Sequence, residues 1–330
     1  MEIVKWRFSW CTAVRCSKCG GKAVISLRYA KLALCEKHFI EFIHKRVKKV
    51  LEKAFALGLP KRVLVAVSGG KDSMVLLHIL KDISSHMGFD VAAIFIDLGI
   101  PNLSSIAREV VVETCSSLGI RCVTVELVDL AGLSLAELSK AFRKSFCATC
   151  GIIKRYIMNA AGVEGNYVVA TGHHLDDIVT YLVKELLVAR SSEEHIKVSD
   201  VVPPAAGASA RIRPLIRVSE REILAYAIIR GVKYVQEQCP YSPKRSVDAM
   251  LKKLVNDLEV EYPGVKLGIL SKYMAKYSEL SEKVSTAKTC RYCGLIALGD
   301  ECAFCRYTKN ALGKALGVEV REYLRKRLGG

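Results

Sequence analysis

Nowhere in its 330 residues does the chain carry the ~18 consecutive apolar residues that a membrane-spanning helix needs, so no such helix is expected. The opening segment, Met1 to Trp10, lacks the apolar h-region of a secretory signal, and a cytoplasmic protein is expected. Acidic residues are in deficit: 33 Asp and Glu stand against 50 Lys and Arg, for a formal net charge of +17. Such an excess points to a polyanionic partner, nucleic acid above all, because each phosphate neutralised by Lys or Arg releases condensed counterions. Solubility or ion pairing of the thermophilic kind is the other reading. Bound metal would lower the figure only to roughly +13. Apolar residues make up 51% of the chain, enough for one large core with smaller appendages.

A Walker loop is also absent. Its spacing would need a glycine at Val65, and Asp72 rather than a hydroxyl follows Lys71. What stands there is Ser68-Gly69-Gly70-Lys71-Asp72-Ser73, after the apolar run Arg62 to Val67 and before the helix-like run Met74 to Leu80. Glycines on a strand-to-helix turn let backbone N–H groups approach phosphate oxygens, the helix directs its positive end at the anion, and Lys71 adds a full charge. The hexapeptide resembles the PP-loop of ATP pyrophosphatases, which cleave ATP between its α and β phosphates and transfer AMP to a substrate oxygen.

From Arg62 onward, short β-branched runs alternate with longer helical patterns, the signature of a parallel α/β sheet. Strands are expected at Asp90 to Ile96, Arg121 to Leu127 and Tyr167 to Ala170. Helices are expected at Asp72 to His86, Ser104 to Leu118, Cys150 to Ala161 and Asp176 to Ala189, with a basic helix before them at Glu41 to Leu57. Ser191 to Arg213, with Pro203, Pro204 and Gly207, reads as a loop. Ser219 and Glu222 form a capping-box pattern for a helix through Ile229 that Gly231 stops. Further helices are expected at Ala249 to Leu258 and Val265 to Val284. Ligands of such sheets bind beyond the carboxyl ends of the strands, where Ser68, Asp97 and the segment Thr171 to Asp177 fall.

Thirteen cysteines in a cytoplasmic chain favour metal ligation or catalysis over disulfides. Cys16 and Cys19, then fifteen residues, then Cys35 and His38 have the two-knuckle spacing of a structural zinc site. Cys290 and Cys293, then eight residues, then Cys302 and Cys305 have the spacing of a four-cysteine ribbon. These sites set the expected boundaries: a zinc finger over 1–44, a catalytic domain over 45–285 and a zinc ribbon over 286–330. Of the other cysteines, Cys115 and Cys122 read as small buried hydrophobes, and Cys11 has no evident partner. Cys147 and Cys150 make another C-x-x-C at a helix start, where the dipole favours thiolates, and Cys239 in a Cys-Pro loop supplies a third sulfur. An iron–sulfur cluster with one open iron, a redox pair with Cys239 as persulfide carrier, and a third zinc all fit that spacing.

Taken together, the finger, the Ser68 to Ser73 loop, the three cysteines, Gly172 to Asp177 and the ribbon resemble the TtuA subgroup of the TtcA/TtuA-type tRNA 2-thiolation enzymes over nearly the whole chain. Asp97 to Ile100 also looks like the TtuA branch. The resemblance implies a parallel-sheet α/β PP-loop domain flanked by two zinc modules. It implies adenylation of a tRNA uridine C2 oxygen by ATP, then displacement of AMP by sulfur to give 2-thiouridine, at the T-loop uridine. A [4Fe-4S] cluster on Cys147, Cys150 and Cys239, two zinc ions and Mg2+ come with it. The sulfur source is a ubiquitin-like thiocarboxylate carrier or free sulfide, and a homodimer is expected. Ser68, Gly69, Gly70 and Ser73 would hold ATP phosphates, with Lys71 offsetting charge on the leaving pyrophosphate, Asp72 binding the cation or phosphate-bound water, and Gly172 and Asp177 also lining the ATP site. Ala66 would lie under the nucleotide and Ile96 would meet adenine through its backbone. Lys154 and Asp177 are the expected catalytic groups with Asp72. Family members commonly have Asn where this chain has His174. Wobble-uridine thiolation, another PP-loop ligase reaction, and a non-catalytic zinc RNA-binding protein are the alternatives.

Overall fold

The computed structural model describes residues 14–188, 198–243, 246–278 and 288–328. Cys11, the start of the Ser191 loop and the end of the helix expected through Val284 lie outside them. An antiparallel hairpin of β1 (Ile25–Leu27) and β2 (Leu32–Leu34) opens the described chain and runs straight into α1 (Glu36–Ala56). That helix starts five residues before the expected Glu41, because Cys35 is its N-cap and His38 lies in its first turn. Phe39, Ile43, Val47, Val50, Leu51 and Ala54 form one buried stripe at helical spacing. The finger therefore shares a core with the domain that follows.

Next come β3 (Arg62–Val67), α2 (Lys71–Met87), β4 (Asp90–Asp97), α3 (Leu103–Ser117) and β5 (Arg121–Glu126). Two short helices, α4 (Leu127–Ala131) and α5 (Leu135–Phe142), lead to α6 (Phe146–Glu164) and β6 (Val168–Ala170). Then follow α7 (Leu175–Val188), β7 (Val201–Val202), β8 (Arg211–Ile212), α8 (Glu220–Arg230), α9 (Val247–Glu261) and α10 (Val265–Ser278). The C-terminal module holds β9 (Lys288–Thr289), β10 (Ile296–Ala297), α11 (Ala303–Leu312) and α12 (Gly317–Leu328).

Six strands form the central sheet in the order β5-β4-β3-β6-β8-β7, parallel except for β7 against β8. Along β3, Val63, Val65 and Val67 face a core with α1, α2, α3 and α8, while Leu64 and Ala66 face a second core with α5, α6 and the C-terminal module. From β3 the chain passes through α2 to β4 on one side, and β6 lies on the other. The strand order therefore reverses between β3 and β6, where such sheets open a ligand crevice. Helices α7, α9 and α10 form a third, smaller core.

The segment read as a loop, Ser191 to Arg213, contributes β7 and β8, whose two-residue length leaves no alternation to detect. Helix α6 begins at Phe146 rather than Cys150, with the Ser145 hydroxyl capping Ala148 N–H, so both cysteines of the pair lie in its first turns. The capping box of Ser219 and Glu222 is formed, and Gly231 ends α8 in the left-handed conformation at φ 61°.

Candidate active site

At the end of β3 the loop closes on itself. Ser68 N–H donates to Ser73 Oγ at 3.1 Å, and Ser73 Oγ donates to Gly70 O at 3.0 Å. Gly70 is the N-cap of α2 and no side chain caps it, which leaves first-turn N–H groups to meet an anion. Gly69 has φ +79°, and a Cβ there would stand 3.0 Å from Ala107 Cβ. Only glycine suits both the conformation and the space. Lys71 Nζ donates to Asp72 Oδ1 at 2.5 Å and lies 3.8 Å from Glu220.

Across the crevice, Gly172 after β6 packs against α2: its Cβ would lie 3.0 Å from Ser73 N and 3.1 Å from Asp72 C. His174 is buried, with Nε2 3.3 Å from Asp177 Oδ2 and 3.8 Å from Asp72 Oδ2. Its Nδ1 has no hydrogen-bond partner, although Asp176 Oδ2 lies 3.6 Å away. The two neighbouring carboxylates divide. Asp176 is buried, accepts from Glu220 N–H at 2.8 Å and pairs with Lys266 of α10. Burial alone would raise its pKa, but His174, Lys266 and the Glu220 N–H hold it well below the usual carboxylate range. It is a strut between α7, α8 and α10. Asp177 is half exposed and faces the crevice, 3.6 Å from Lys252 of α9. Lys252 also bonds Glu220 at 2.8 Å, and these acids keep it protonated above the ordinary lysine range against the effect of burial.

The expected nucleotide contacts Ala66 and Ile96 lie on adjacent strands, Ala66 half-buried on the second core face and Ile96 buried near the end of β4. Asp97 is buried and serves the loop beyond β4: it accepts from Gly99 N–H at 2.8 Å and from Arg108 at 2.6 Å. That loop and α3 line an open cleft of about 650 Å³ containing Ile100, Asn102 and Arg108.

The three central cysteines gather at the start of α6. Cys150 is half-buried; burial raises its pKa, Lys154 one turn on lowers it, and Cys239 and Cys147 raise it again. Cys147 Sγ lies 3.7 Å from Tyr241 O, and the Phe146 ring stacks on Tyr241 with centroids 3.9 Å apart. Their sulfurs do not converge as tightly as those of the zinc sets. Thiolates that share a multi-iron cluster have the cluster's own edges between them, so three spread thiolates with one exposed suit such a group. The same loop touches the cradle, since Val235 N–H donates to Gly69 O at 2.8 Å.

Both sets expected to bind zinc converge: the candidate ligand atoms within each set, Cys16, Cys19, Cys35 and His38, and Cys290, Cys293, Cys302 and Cys305, lie within 4.8 Å of one another and could hold a metal ion. The second is wholly buried. Hydrogen bonds from Cys302 and Cys305 lower the pKa of the Cys293 thiol while raising their own, so one thiolate is shared within the set before any cation is bound. The ribbon is fastened to α6: Tyr156 stacks on Phe304 at 4.0 Å and donates to Gly317 O at 2.9 Å.

The family description PP-loop domain matches residues 40–256, and that of the N-terminal LIM domain of 2-thiouridine synthetase TtuA matches residues 15–40. The chain belongs to the TtcA/TtuA-type tRNA 2-thiolation family. A tRNA-5-methyluridine(54) 2-sulfurtransferase of Pyrococcus horikoshii is 33% identical over 299 residues, 89% of this chain and 93% of that protein. Its namesake in Thermus thermophilus is 36% identical over 296 residues, 88% of this chain and 90% of that protein. Among solved structures, the U34-tRNA thiolase NcsA from Methanococcus maripaludis with its [4Fe-4S] cluster superposes with a TM-score of 0.73 at 26% identity, covering 90% of this chain and 96% of that one. As a member of this PP-loop family, the chain brings its cradle, Gly172 and Asp177 to one crevice and its three cysteines to the neighbouring helix. Glu220, Lys252, Val235, Phe146 and Tyr241 also build the site. Of these, Phe146, next to Cys147, and Tyr241, two residues from Cys239, carried a local signal.

Proposed function

We propose that this enzyme is an ATP-dependent tRNA 2-sulfurtransferase acting on the T-loop uridine. One observation carries the reading: Val235, bonded to the phosphate cradle, and Cys239, beside Cys150, are four residues apart, so at most roughly 14 Å of chain separates the two sites. A nucleobase between them can meet the nucleotide's α phosphate and a sulfur donor in turn. The T-loop assignment is supported by the names of relatives at 33% and 36% identity, above the 26% of the wobble-position thiolase.

In this reading the free N–H groups at the start of α2 bind the β and γ phosphates, and Lys71 leaves Asp72 to meet charge on the departing pyrophosphate. The uridine C2 oxygen attacks the α phosphorus and pyrophosphate leaves; sulfur then attacks C2, and AMP departs with the C–O bond electrons. Asp177, half exposed and facing Lys252, orients a cation or takes the N3 proton as the base activates. Lys154 neutralises charge on the adenylated oxygen. Cys147, Cys150 and Cys239 would hold an iron–sulfur cluster, which when bound supplies sulfur from a carrier thiocarboxylate or free sulfide in nucleophilic form. Cys16, Cys19, Cys35 and His38, and Cys290, Cys293, Cys302 and Cys305, would each hold a zinc ion with a structural role. The test is tRNA-dependent conversion of ATP to AMP and pyrophosphate. Hydrolysis to ADP, or AMP formation indifferent to tRNA, overturns the reading.

A further inference from the structure

Three guanidinium groups gather beside this site with no carboxylate in ion-pair distance among the described residues. Arg211 and Arg213 alternate with buried Ile212 on β8 and just beyond it, so they share one face of the sheet. That face is covered by α6, whose Asn159 accepts from Ser209 N–H at 2.9 Å, and Arg155 stands one turn earlier on the same helix. The Arg155 side chain folds back over the turn that holds Cys150: its Nη1 lies 2.9 Å from where a Cβ of Gly151 would be. A larger residue at 151 would push it away.

Other arginines near the sheet are matched by a carboxylate, Arg108 with Asp97 and Glu126, Arg46 with Glu222, Arg325 with Glu164, or by neutral acceptors, Arg62 with Gly165 O and Tyr167 and Arg121 with Arg327 O. Among the described residues no carboxylate lies within ion-pair distance of Arg155, Arg211 or Arg213, and neither Arg155 nor Arg211 has a hydrogen-bond partner. Arg213 is fixed in place by donating to Ser199 O at 2.6 Å. Burial and Arg155 lower the pKa of Arg211, and burial and Arg211 lower that of Arg213, while Asp200 alone acts to raise it. His173, which bonds Thr171 Oγ1 at 2.9 Å, is likewise kept neutral by burial and by Arg213, with Asp177 opposing. Like charges collected from a helix and a strand at one edge of a crevice repel one another unless an anion bridges them. A planar guanidinium pair matches phosphate oxygens.

We propose that Arg155, Arg211 and Arg213 grip a backbone phosphate of the RNA beside the target nucleotide and so hold the base between the cradle and the three cysteines. This rests on the tRNA reading above and adds the contact that positions the substrate. The rival source of the same phosphate chemistry is the nucleotide's own polyphosphate. The full, metal-loaded chain is titrated with unmodified tRNA across a range of salt concentrations, as wild type, Arg155→Gln, Arg211→Gln and the double variant. Binding of a non-hydrolysable ATP analogue is measured alongside. Each single substitution is expected to weaken tRNA binding about threefold to tenfold and to flatten the slope of log affinity against log salt by about 0.7–0.9, with analogue affinity unchanged. Gly151→Ala, which displaces Arg155 without altering charge, is expected to weaken tRNA binding at unchanged iron content. Wild-type tRNA affinity and salt slope in the double variant would overturn the proposal. So would a fall in analogue affinity with tRNA binding intact, which would assign the arginines to the polyphosphate. Failure of the wild type to bind tRNA at all would overturn the functional reading itself and this inference with it.

Discussion

Substituting Gly172 by alanine adds one carbon against the backbone of the first turn of α2. The new Cβ would sit 3.0 Å from Ser73 N, 3.1 Å from Asp72 C and 3.2 Å from Ser73 Cα, all backbone atoms of the first turn of α2. Carbon contacts relax at about 3.5–4.0 Å, so the β6 end and the α2 start must part by roughly half an ångström. Overpacking of this kind costs about 1–3 kcal/mol. The displaced atoms belong to the turn whose N–H groups would bind the phosphates in the proposed reaction. A 1 Å misplacement of reacting groups costs about a hundredfold in rate, so half of that predicts roughly a tenfold fall in kcat/KM for ATP. Pyrophosphate release at varied ATP with saturating tRNA measures it, and thermal denaturation records a Tm lower by a few degrees. Gly268→Ala is the control: nothing lies within 4 Å of its Cβ position, and it is inside α10, where alanine favours the helix by about 0.5–1 kcal/mol. It should leave activity unchanged. Wild-type kinetics in Gly172→Ala would refute the placement of the phosphates at the start of α2.

Other consequences are equally open to measurement. Cys239→Ser should lower iron content and abolish thiolation while leaving zinc content and Tm near wild type, as elemental analysis of the reconstituted protein would show. Zinc should leave in two steps under a chelator, read with a metallochromic dye. The N-terminal site goes first because Cys19 is exposed and Cys35 and His38 are half-buried, whereas all four ribbon sulfurs are buried. Asp176→Asn should destabilise the fold by about 3 kcal/mol at pH 7, since it leaves Lys266 buried without its carboxylate. The native Asp176 pKa lies below its unfolded value, so its contribution is complete above about pH 4 and lost as pH falls through the native value. The gap between wild type and variant in chemical denaturation should therefore close in acid; a gap independent of pH would remove Asp176 as the strut.

What the sequence revealed of the site was its local part. The cradle, the Cys147 and Cys150 pair and the paired knuckles of both metal-ligand sets are each carried by residues a few positions apart, where spacing translates directly into geometry. The contacts that complete the site join distant elements: Glu220 and Lys252 facing Asp177, Tyr241 stacking on Phe146, and Val235 bonding to Gly69. No periodicity announces such pairs. Two-residue strands β7 and β8 escaped for a related reason, since a pattern of period two needs more than one period. The start of α1 was misplaced because metal-ligand spacing and helix periodicity overlap there: Cys35 and His38 belong to a set that could hold a metal ion and are also the cap and first turn of the helix. Asp176 and Asp177 look alike in sequence, and only the packing of α8 and α10 separates the strut from the crevice residue.

The central claim is that the cradle and the three cysteines act on one uridine. Anoxic incubation of cluster-reconstituted protein with unmodified tRNA, ATP and sulfide, followed by nuclease digestion and mass spectrometry, tests it most directly. The account predicts 2-thiouridine in the T loop, formed in step with AMP and absent when ATP is withheld. Thionucleoside formed without ATP, or AMP formed on tRNA that gains no sulfur, would contradict it.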